Sequence, residues 1–393
     1  MASKQSQTVD NQQGPWSVVD TIGQSAPVDL SRPYSTESLA GKTILITGGA
    51  SGFGAAFARE WASKGSHIMI GDVNDERGHQ LVAELRMLPG SSRHHHYQRC
   101  DVTSWADQVA LFKAAVQASP TGGIDAVVAS AGIGMVGGQP GFDNPGDLDQ
   151  DPPPPPPPLH VLDVNLTGVM YTAHLALFWL PKNEEKLRKG GEEEGFKTTP
   201  RTRDRHLLLV SSVAGLSPLP GATVYSVSKH AVLGLFRTLR ATVRHLGIRC
   251  NVLCPYFVDT PILPAAAMLL LAGGAKAEIP DVVDAATRLM ADESIVGRGL
   301  AIGPKMPFGC CDVDVDGLGE GEADGSGKGA NGGALGQQQQ AVWEVHAHDY
   351  ERVEVFIWRF VTALNVLKEK RGVKGLVKDL FLILTRPWRL KRQ

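Results

Sequence analysis

Lys42-Thr-Ile-Leu-Ile-Thr47-Gly48-Gly-Ala-Ser-Gly52-Phe-Gly54 is the stretch from which the rest of the chain can be read. A short apolar run ending at glycines is how a parallel strand buried on both faces looks in sequence. The helical stretch Ala55-Ala-Phe-Ala-Arg-Glu-Trp-Ala62 follows and stops near Gly65. Glycines between a strand and a helix let the backbone turn tightly and approach an anion, which then rests on the helix N-terminus. The spacing G-x-x-x-G-x-G differs from the dinucleotide fingerprint G-x-G-x-x-G, so the strand before and the helix after carry much of the reading.

Working outward, His67-Ile-Met-Ile-Gly-Asp72 is a second strand that closes on an acid. Further strands read at 124–130, 205–211 and 248–253, with helical segments around 106–118, 161–180 and 226–246. This β-α alternation predicts an α/β fold, a doubly wound parallel sheet of Rossmann type in one domain. Asp72 lies eighteen residues past Gly54. A carboxylate there accepts hydrogen bonds from the adenosine ribose and repels a 2′-phosphate. The turn offers Ser51 and Phe53 and no cation, so NAD is favoured over NADP. Asp101 and Val102, after the third strand, read either as adenine contacts or as a helix cap.

Tyr225-Ser-Val-Ser-Lys229 places a phenol and an amine one helical turn apart on the same face. An ammonium held there favours tyrosinate and makes a proton shuttle of the pair. With the glycine turn upstream, the expectation is hydride transfer between an alcohol and a nicotinamide.

At these residues the chain resembles the short-chain dehydrogenase/reductase family, over about residues 41–304. Thr47-Gly48-x-x-x-Gly52-x-Gly54 is similar to its cofactor turn, and Ser130-Ala131-Gly132 falls where the family has Asn-Ala-Gly. Val164-Asn165-Leu-Thr-Gly168 resembles its catalytic-asparagine helix, and Val210-Ser211-Ser212-Val-Ala-Gly215 its catalytic-serine strand end. The resemblance implies a catalytic set of Ser212, Tyr225, Lys229 and Asn165, with Ser211 a structural neighbour. In it Tyr225 exchanges a proton with the substrate oxygen and Ser212 hydrogen-bonds that oxygen. Lys229 lowers the tyrosine pKa and holds the nicotinamide ribose, and Asn165 positions a water. It also implies cofactor contacts at Thr47, Gly48, Ser51, Gly52, Phe53, Gly54, Asp72, Asp101, Val102, Ala131, Gly132, Tyr225 and Lys229. Pro255, Val258 and Thr260 join them from Pro255-Tyr256-Phe-Val258-Asp-Thr260, where Tyr256 replaces the family's glycine. The lid entry is similar to that of the 15-hydroxyprostaglandin dehydrogenase subgroup. A homodimer or homotetramer through the Asn165 and Tyr225 helices is implied by the resemblance alone.

Composition sets the remaining expectations. The 393 residues carry a formal charge of −2, which gives no global field for nucleic acid. Five scattered cysteines and no apolar leader segment read as reduced, intracellular thiols, and hence a cytoplasmic protein. No apolar run approaches the ~20 residues of a membrane span. Residues 1–40 read as a flexible arm and 41–305 as the NAD-binding catalytic domain, with insertions at 137–158 and 181–204. Residues 306–341 read as a low-complexity linker and 342–393 as a helical, basic amphipathic extension. Its tail from Lys368 to Gln393 has nine Lys/Arg against two acids. That tail reads either as a peripheral membrane contact or as a helix folded onto a neighbouring subunit. The apolar stretch from Pro261 to Leu271 suggests a small hydrophobic substrate. Pro152 to Pro158 reads as a spacer, or as a polyproline ligand. Asp312-Val-Asp-Val-Asp-Gly317 lacks the glutamate a calcium loop needs at its twelfth position. His94-His-His96 reads as an exposed loop without metal-ligand spacing. No metal site is expected.

Overall fold

The computed structural model describes residues 23–134, 142–143, 145–183, 203–217, 219, 221–262, 276–307 and 339–346. Its centre is one sheet in the order β3-β2-β1-β4-β5-β6-β7-β8. The strands are β1 Thr43–Thr47, β2 His67–Asp72, β3 His96–Arg99, β4 Ala126–Ala129, β5 His206–Val210, β6 Arg249–Pro255, β7 Gly299–Pro307 and β8 Gln339–Val345. The first seven pair in parallel and β8 returns antiparallel on β7. The order reverses at β1, where a chain that first winds towards β3 crosses back to β4. That switch opens a crevice at the carboxyl ends of β1 and β4.

The central strands are apolar because helices cover both faces. Every residue of β1, β4, β5 and β6 is buried. On one face α1 (Gly52–Ser63), α2 (Asp75–Met87) and α6 (Ile279–Ala291) enclose a core holding Phe57, Trp61, Leu85 and Leu289. On the other, α3 (Trp105–Ala118), α4 (His160–Asn183) and α5 (Thr223–Thr242) enclose Leu111, Phe112, Val232 and Phe236. Within α4 the segment Asp163–Gly168 is π-helical, a wider winding that recurs at functional sites. By length and composition α4 is apolar enough to cross a membrane, contrary to expectation, and half of its most apolar window is buried inside the fold. A central helix of a two-layered sheet needs the same apolarity.

Three expected boundaries shift. Residues 23–40 are packed onto the domain, not a free arm. Leu39 is fully buried, Val28, Leu30 and Tyr34 rest on the core, and the Tyr34 hydroxyl donates to Asp284 at 2.7 Å. The expected linker ends in β8, and β8 runs into the stretch expected to be helical. Its Ala341 is buried, and Arg298 of β7's entry pairs with Glu344 at 2.8 Å. Leu300, Ile302 and Ala341 bury more surface through sheet pairing than a solvated linker would.

The ends of the 181–204 insertion also belong to the fold. Asn183 is fully buried, and Asp204 lies between Arg249 and Lys42, each at 2.7 Å. Burial pushes the Asp204 carboxyl up, but the two cations together outweigh it and hold the group well below the usual carboxylate range. His95 is likewise a core residue, its imidazole bonded to Ser91 at 2.6 Å and pulled down to about 4 by burial. The interiors of both insertions, most of the 306–341 stretch, the lid beyond Ile262, the Asp312 loop and the basic tail lie outside the described residues.

Candidate active site

The glycine turn is shaped by two close approaches. Gly48 has φ +67°, and a Cβ there would stand 2.5 Å from the Ala131 Cα. At Gly54 a Cβ would meet the Gly48 carbonyl oxygen at 2.3 Å, so the turn folds back on its own helix only with glycine at both positions. Gly52 differs. Its φ is +52°, and a Cβ would have nothing within 4 Å. Open space therefore stands above the first turn of α1, where unpaired backbone N–H groups favour an anion. Ser51 precedes it in extended conformation, with its side chain making no cap. A dinucleotide's pyrophosphate fits this arrangement.

Asp72 ends β2 with one carboxylate oxygen accepting the Ala50 N–H at 2.9 Å and the other the Asn74 N–H at 3.0 Å. A carboxylate has about four lone-pair sites, so ribose hydroxyls still find acceptors there. Thr47 holds the Val128 carbonyl from beneath the turn, and Phe53 lies along the core beside Phe57. Ser51, Gly52 and Thr260 line one cavity of about 1040 Å³, so the loop after β6 closes over the same turn. Val258 is buried and its carbonyl accepts from the Thr260 hydroxyl. Arg77 lines that cavity as well, a cation supplied by α2 that inspection of the turn alone did not find.

Asp101 is engaged locally, accepting from the Thr103 N–H and hydroxyl at 2.9 and 2.8 Å. The helix cap that was one reading of Asp101 falls instead to Ser104, whose side chain accepts from the Asp107 N–H. Val102 is buried, and its carbonyl accepts from Gln108, which also donates to the Gly168 carbonyl. Fully buried Gln108 thus joins the loop after β3 to α4; nothing in its sequence neighbourhood signals that task.

Across the crevice, Ser130 donates to the Thr47 carbonyl at 2.7 Å. The shorter side chain still ties β4 to β1. Asn165 sits in the π-helical stretch, fully buried, with its carboxamide on both backbone groups of Ile133. It also donates to the Ser228 hydroxyl, which donates to the Tyr225 carbonyl at 2.6 Å. Asn165 and the start of α5 are therefore joined through Ser228.

Tyr225 and Lys229 lie in the first two turns of α5. The Lys229 Nζ stands 5.6 Å from the Tyr225 ring centroid, donates to the Val210 carbonyl, and lies near Gly132. Of the two serines, Ser212 is the one beside the Tyr225 phenol, its hydroxyl donating to the Pro255 carbonyl at 3.4 Å, and Ser211 donates to the Lys229 carbonyl. Burial pushes the Tyr225 phenol above its ordinary range, with the Ser212 hydroxyl opposing, and pulls Lys229 down to about 8. The sequence led us to expect a lowered tyrosine. In the protein alone desolvation prevails, because neither group has an opposite charge to offset its loss of water. Cys254 lies beside Lys229 as a neutral thiol, pushed up to about 12 by burial.

Tyr256, in place of glycine, carries no left-handed strain. Among the described non-glycine residues only Arg93, Asp147 and His346 have positive φ. Its N–H donates to the Ile302 carbonyl, and Pro255 accepts from Ser212 at 3.4 Å. The described residues hold no cluster of three or more metal-ligating side chains.

Comparisons with known proteins give the family. The short chain dehydrogenase family model matches residues 42–186 and 201–267. The chain is 36% identical over 299 residues to a 5′-hydroxyaverantin dehydrogenase of Dothistroma septosporum, covering 73% of this chain and 92% of that one. It is 36% identical over 304 residues to a 5′-hydroxyaverantin dehydrogenase of Emericella nidulans, covering 74% and 93%. Its fold is similar to the crystal structure of a 3-ketoacyl-(acyl-carrier-protein) reductase from Brucella melitensis complexed with NADH. That match has a TM-score of 0.53 and 24% identity, over 67% of this chain and 97% of that one. With the crevice at the β1/β4 switch and the glycine turn facing it, the chain belongs to the short-chain dehydrogenases, NAD(P)-dependent oxidoreductases acting on CH–OH groups.

Proposed function

We propose that this enzyme oxidises a hydrophobic secondary alcohol with NAD, using Tyr225, Lys229, Ser212 and Asn165. The observation that carries the reading is the grouping of half-buried Ser212 and Tyr225 with buried Lys229 beside Gly132, on the rim of the crevice that the glycine turn enters. Gly48, Gly52 and Gly54 hold the pyrophosphate, and Asp72 takes the adenosine ribose. When bound, the nicotinamide accepts the hydride leaving the alcohol carbon. The protein's part is the proton and the developing charge. Tyr225 takes the hydroxyl proton as general base. The Ser212 hydroxyl donates to the same substrate oxygen, which localises charge on it. Lys229 balances the phenolate, and Asn165 fixes the Ile133 loop on which the substrate side of the crevice is built. In the reverse direction Tyr225 is the acid.

The relatives' names make 5′-hydroxyaverantin the first alcohol to test. Purified protein, NAD and a panel of hydrophobic secondary alcohols including it should produce reduced nicotinamide absorbance. The reading fails if cofactor binds and Tyr225→Phe leaves that signal intact. One observation favours a second reading, NADP as cofactor: Arg77 faces the cavity at the turn. Asp72→Ala should then leave NADPH affinity unchanged, whereas with NAD as the native cofactor it should improve NADPH binding. Exposed Met170 and Phe178 on α4, with Val227 on α5, give the two helices an apolar face for a homodimer.

A further inference from the structure

One buried side chain ties the loop after β3 to α4. Gln108, at the end of the first turn of α3, is fully buried. Its Nε2 donates to the Val102 carbonyl at 2.6 Å and to the Gly168 carbonyl at 2.9 Å, so both amide protons are used. Its Oε1 lies 2.8 Å from the Thr172 hydroxyl, which also stands 3.0 Å from the Gly168 carbonyl. That hydroxyl has one proton and gives it to one of the two at a time. Turned the other way, the amide would set an oxygen against two carbonyls, so the network fixes how Gln108 points. Loop and helix also touch directly. A Cβ on Gly168 would stand 2.8 Å from the Val102 Cγ2, so α4 approaches the loop at the one residue that has no side chain.

We propose that Gln108 is a positioning residue for the adenosine half of the dinucleotide, acting through the Val102 carbonyl. Its role rests on the dinucleotide reading of the crevice. Asp72 lies opposite Arg99 in the β2–β3 ladder, and the Cys100 N–H donates to the Asp72 carbonyl at 2.9 Å. Residues 101 and 102 therefore stand beside the carboxylate that takes the ribose. With the pyrophosphate above Gly52 and the ribose on Asp72, the base comes to that loop. The Asp101 end is anchored by its own bonds, its N–H donating to Asp107 at 3.1 Å. The Val102 end is not. Among the described residues its carbonyl accepts from Gln108 alone. Gly168 keeps a second donor in Thr172, so losing the amide releases Val102 and leaves the Asn165 end of α4 in place. The effect falls on the adenosine half and spares the nicotinamide half.

Gln108→Met keeps the length of the side chain and deletes both donors. Isothermal titration of the full-length protein with ADP-ribose, the cofactor without its nicotinamide, should show affinity about three- to tenfold weaker. Reduced nicotinamide mononucleotide, followed by ligand-detected NMR, should bind within about twofold of wild type. Thr172→Val takes the donor from Oε1 and should weaken ADP-ribose in the same direction, whereas Thr172→Ser retains wild-type affinity. That pair decides the matter if Gln108→Met does not fold. A glutamine that only stabilises the fold would lower Tm and leave ADP-ribose affinity unchanged, or weaken both half-cofactors alike. Either result overturns the positioning role while the dinucleotide reading stands. If wild type binds neither ADP-ribose nor NAD, that reading fails and the role of Gln108 falls with it.

Discussion

Asn165 holds Ile133 by both backbone groups, its Oδ1 accepting the N–H at 2.8 Å and its Nδ2 donating to the carbonyl at 2.9 Å. A side chain on α4 thereby completes, for the loop after β4, the pairing that a neighbouring strand would otherwise supply. Asn165→Leu removes both bonds and leaves two part-buried backbone groups unpaired. We expect a loss of about 2–4 kcal/mol in denaturant unfolding. A loss below about 1 kcal/mol would show that Ile133 finds water instead.

Tyr225→Phe keeps the ring's packing and deletes the proton carrier. Alcohol oxidation should fall roughly 10²- to 10⁴-fold. Isothermal titration should show cofactor affinity within about twofold of wild type, because the phenol adds little to ground-state binding of the cofactor.

Gly48→Ala tests the turn. The new methyl would meet the Ala131 backbone at 2.5 Å with φ at +67°. A cost of about 1–3 kcal/mol and weakened NAD binding should follow. Gly52→Ala has open space around its Cβ and carries only the φ penalty, so it should destabilise less and act mainly on cofactor affinity. Equal effects of the two on stability would contradict the close approach at Gly48.

Lys229 gives stability a signature in alkali. Burial lowers its folded pKa to about 8 from the ordinary 10.5, so between those values the unfolded chain holds more protons than the folded one. Stability contributed by this group is therefore lowest below pH 8 and rises through that window. Lys229→Met should remove the rise, seen as a flatter dependence of the denaturant midpoint on pH. An unchanged slope would mean the amine is hydrated.

Asp204 gives a slope of the same sign, but in acid. Its folded pKa is depressed, so its contribution is complete above the unfolded carboxylate value and is lost as pH falls towards the folded one. Asp204→Asn leaves the buried Arg249 guanidinium without its carboxylate, while Lys42 keeps Glu293 at 2.9 Å, and should cost about 3–5 kcal/mol. Retention of wild-type Tm would place water in that cluster.

The winding of the sheet was legible in the sequence because buried parallel strands cannot disguise themselves. Thr43 to Thr47 and His206 to Val210 are buried from end to end around apolar centres, and glycines mark where β1 stops. The chemical residues were legible because spacing on a helix is rigid: Tyr225 and Lys229 must share a face. What escaped was set by partners distant in sequence. β8 follows a stretch of glycine and glutamine, and Gln340 and Glu344 look solvated until β7 supplies the other half of the ladder. Gln108 serves a residue 60 positions away. The direction of the Tyr225 and Lys229 shifts depended on burial depth, which no local pattern reports.

The antiparallel return of β8 makes everything from 308 to 338 the connection of a single hairpin. Closing a loop costs only about 0.6 kcal/mol more for each doubling of its length, so that connection tolerates trimming or a grafted tag. Cutting the gene there is another matter. A truncation made where composition changes, at residue 306, would strip away the sheet's last rung, bare a raw edge on β7, and deprive the N-terminal arm of the Glu344 carboxylate that its Val28 N–H grips.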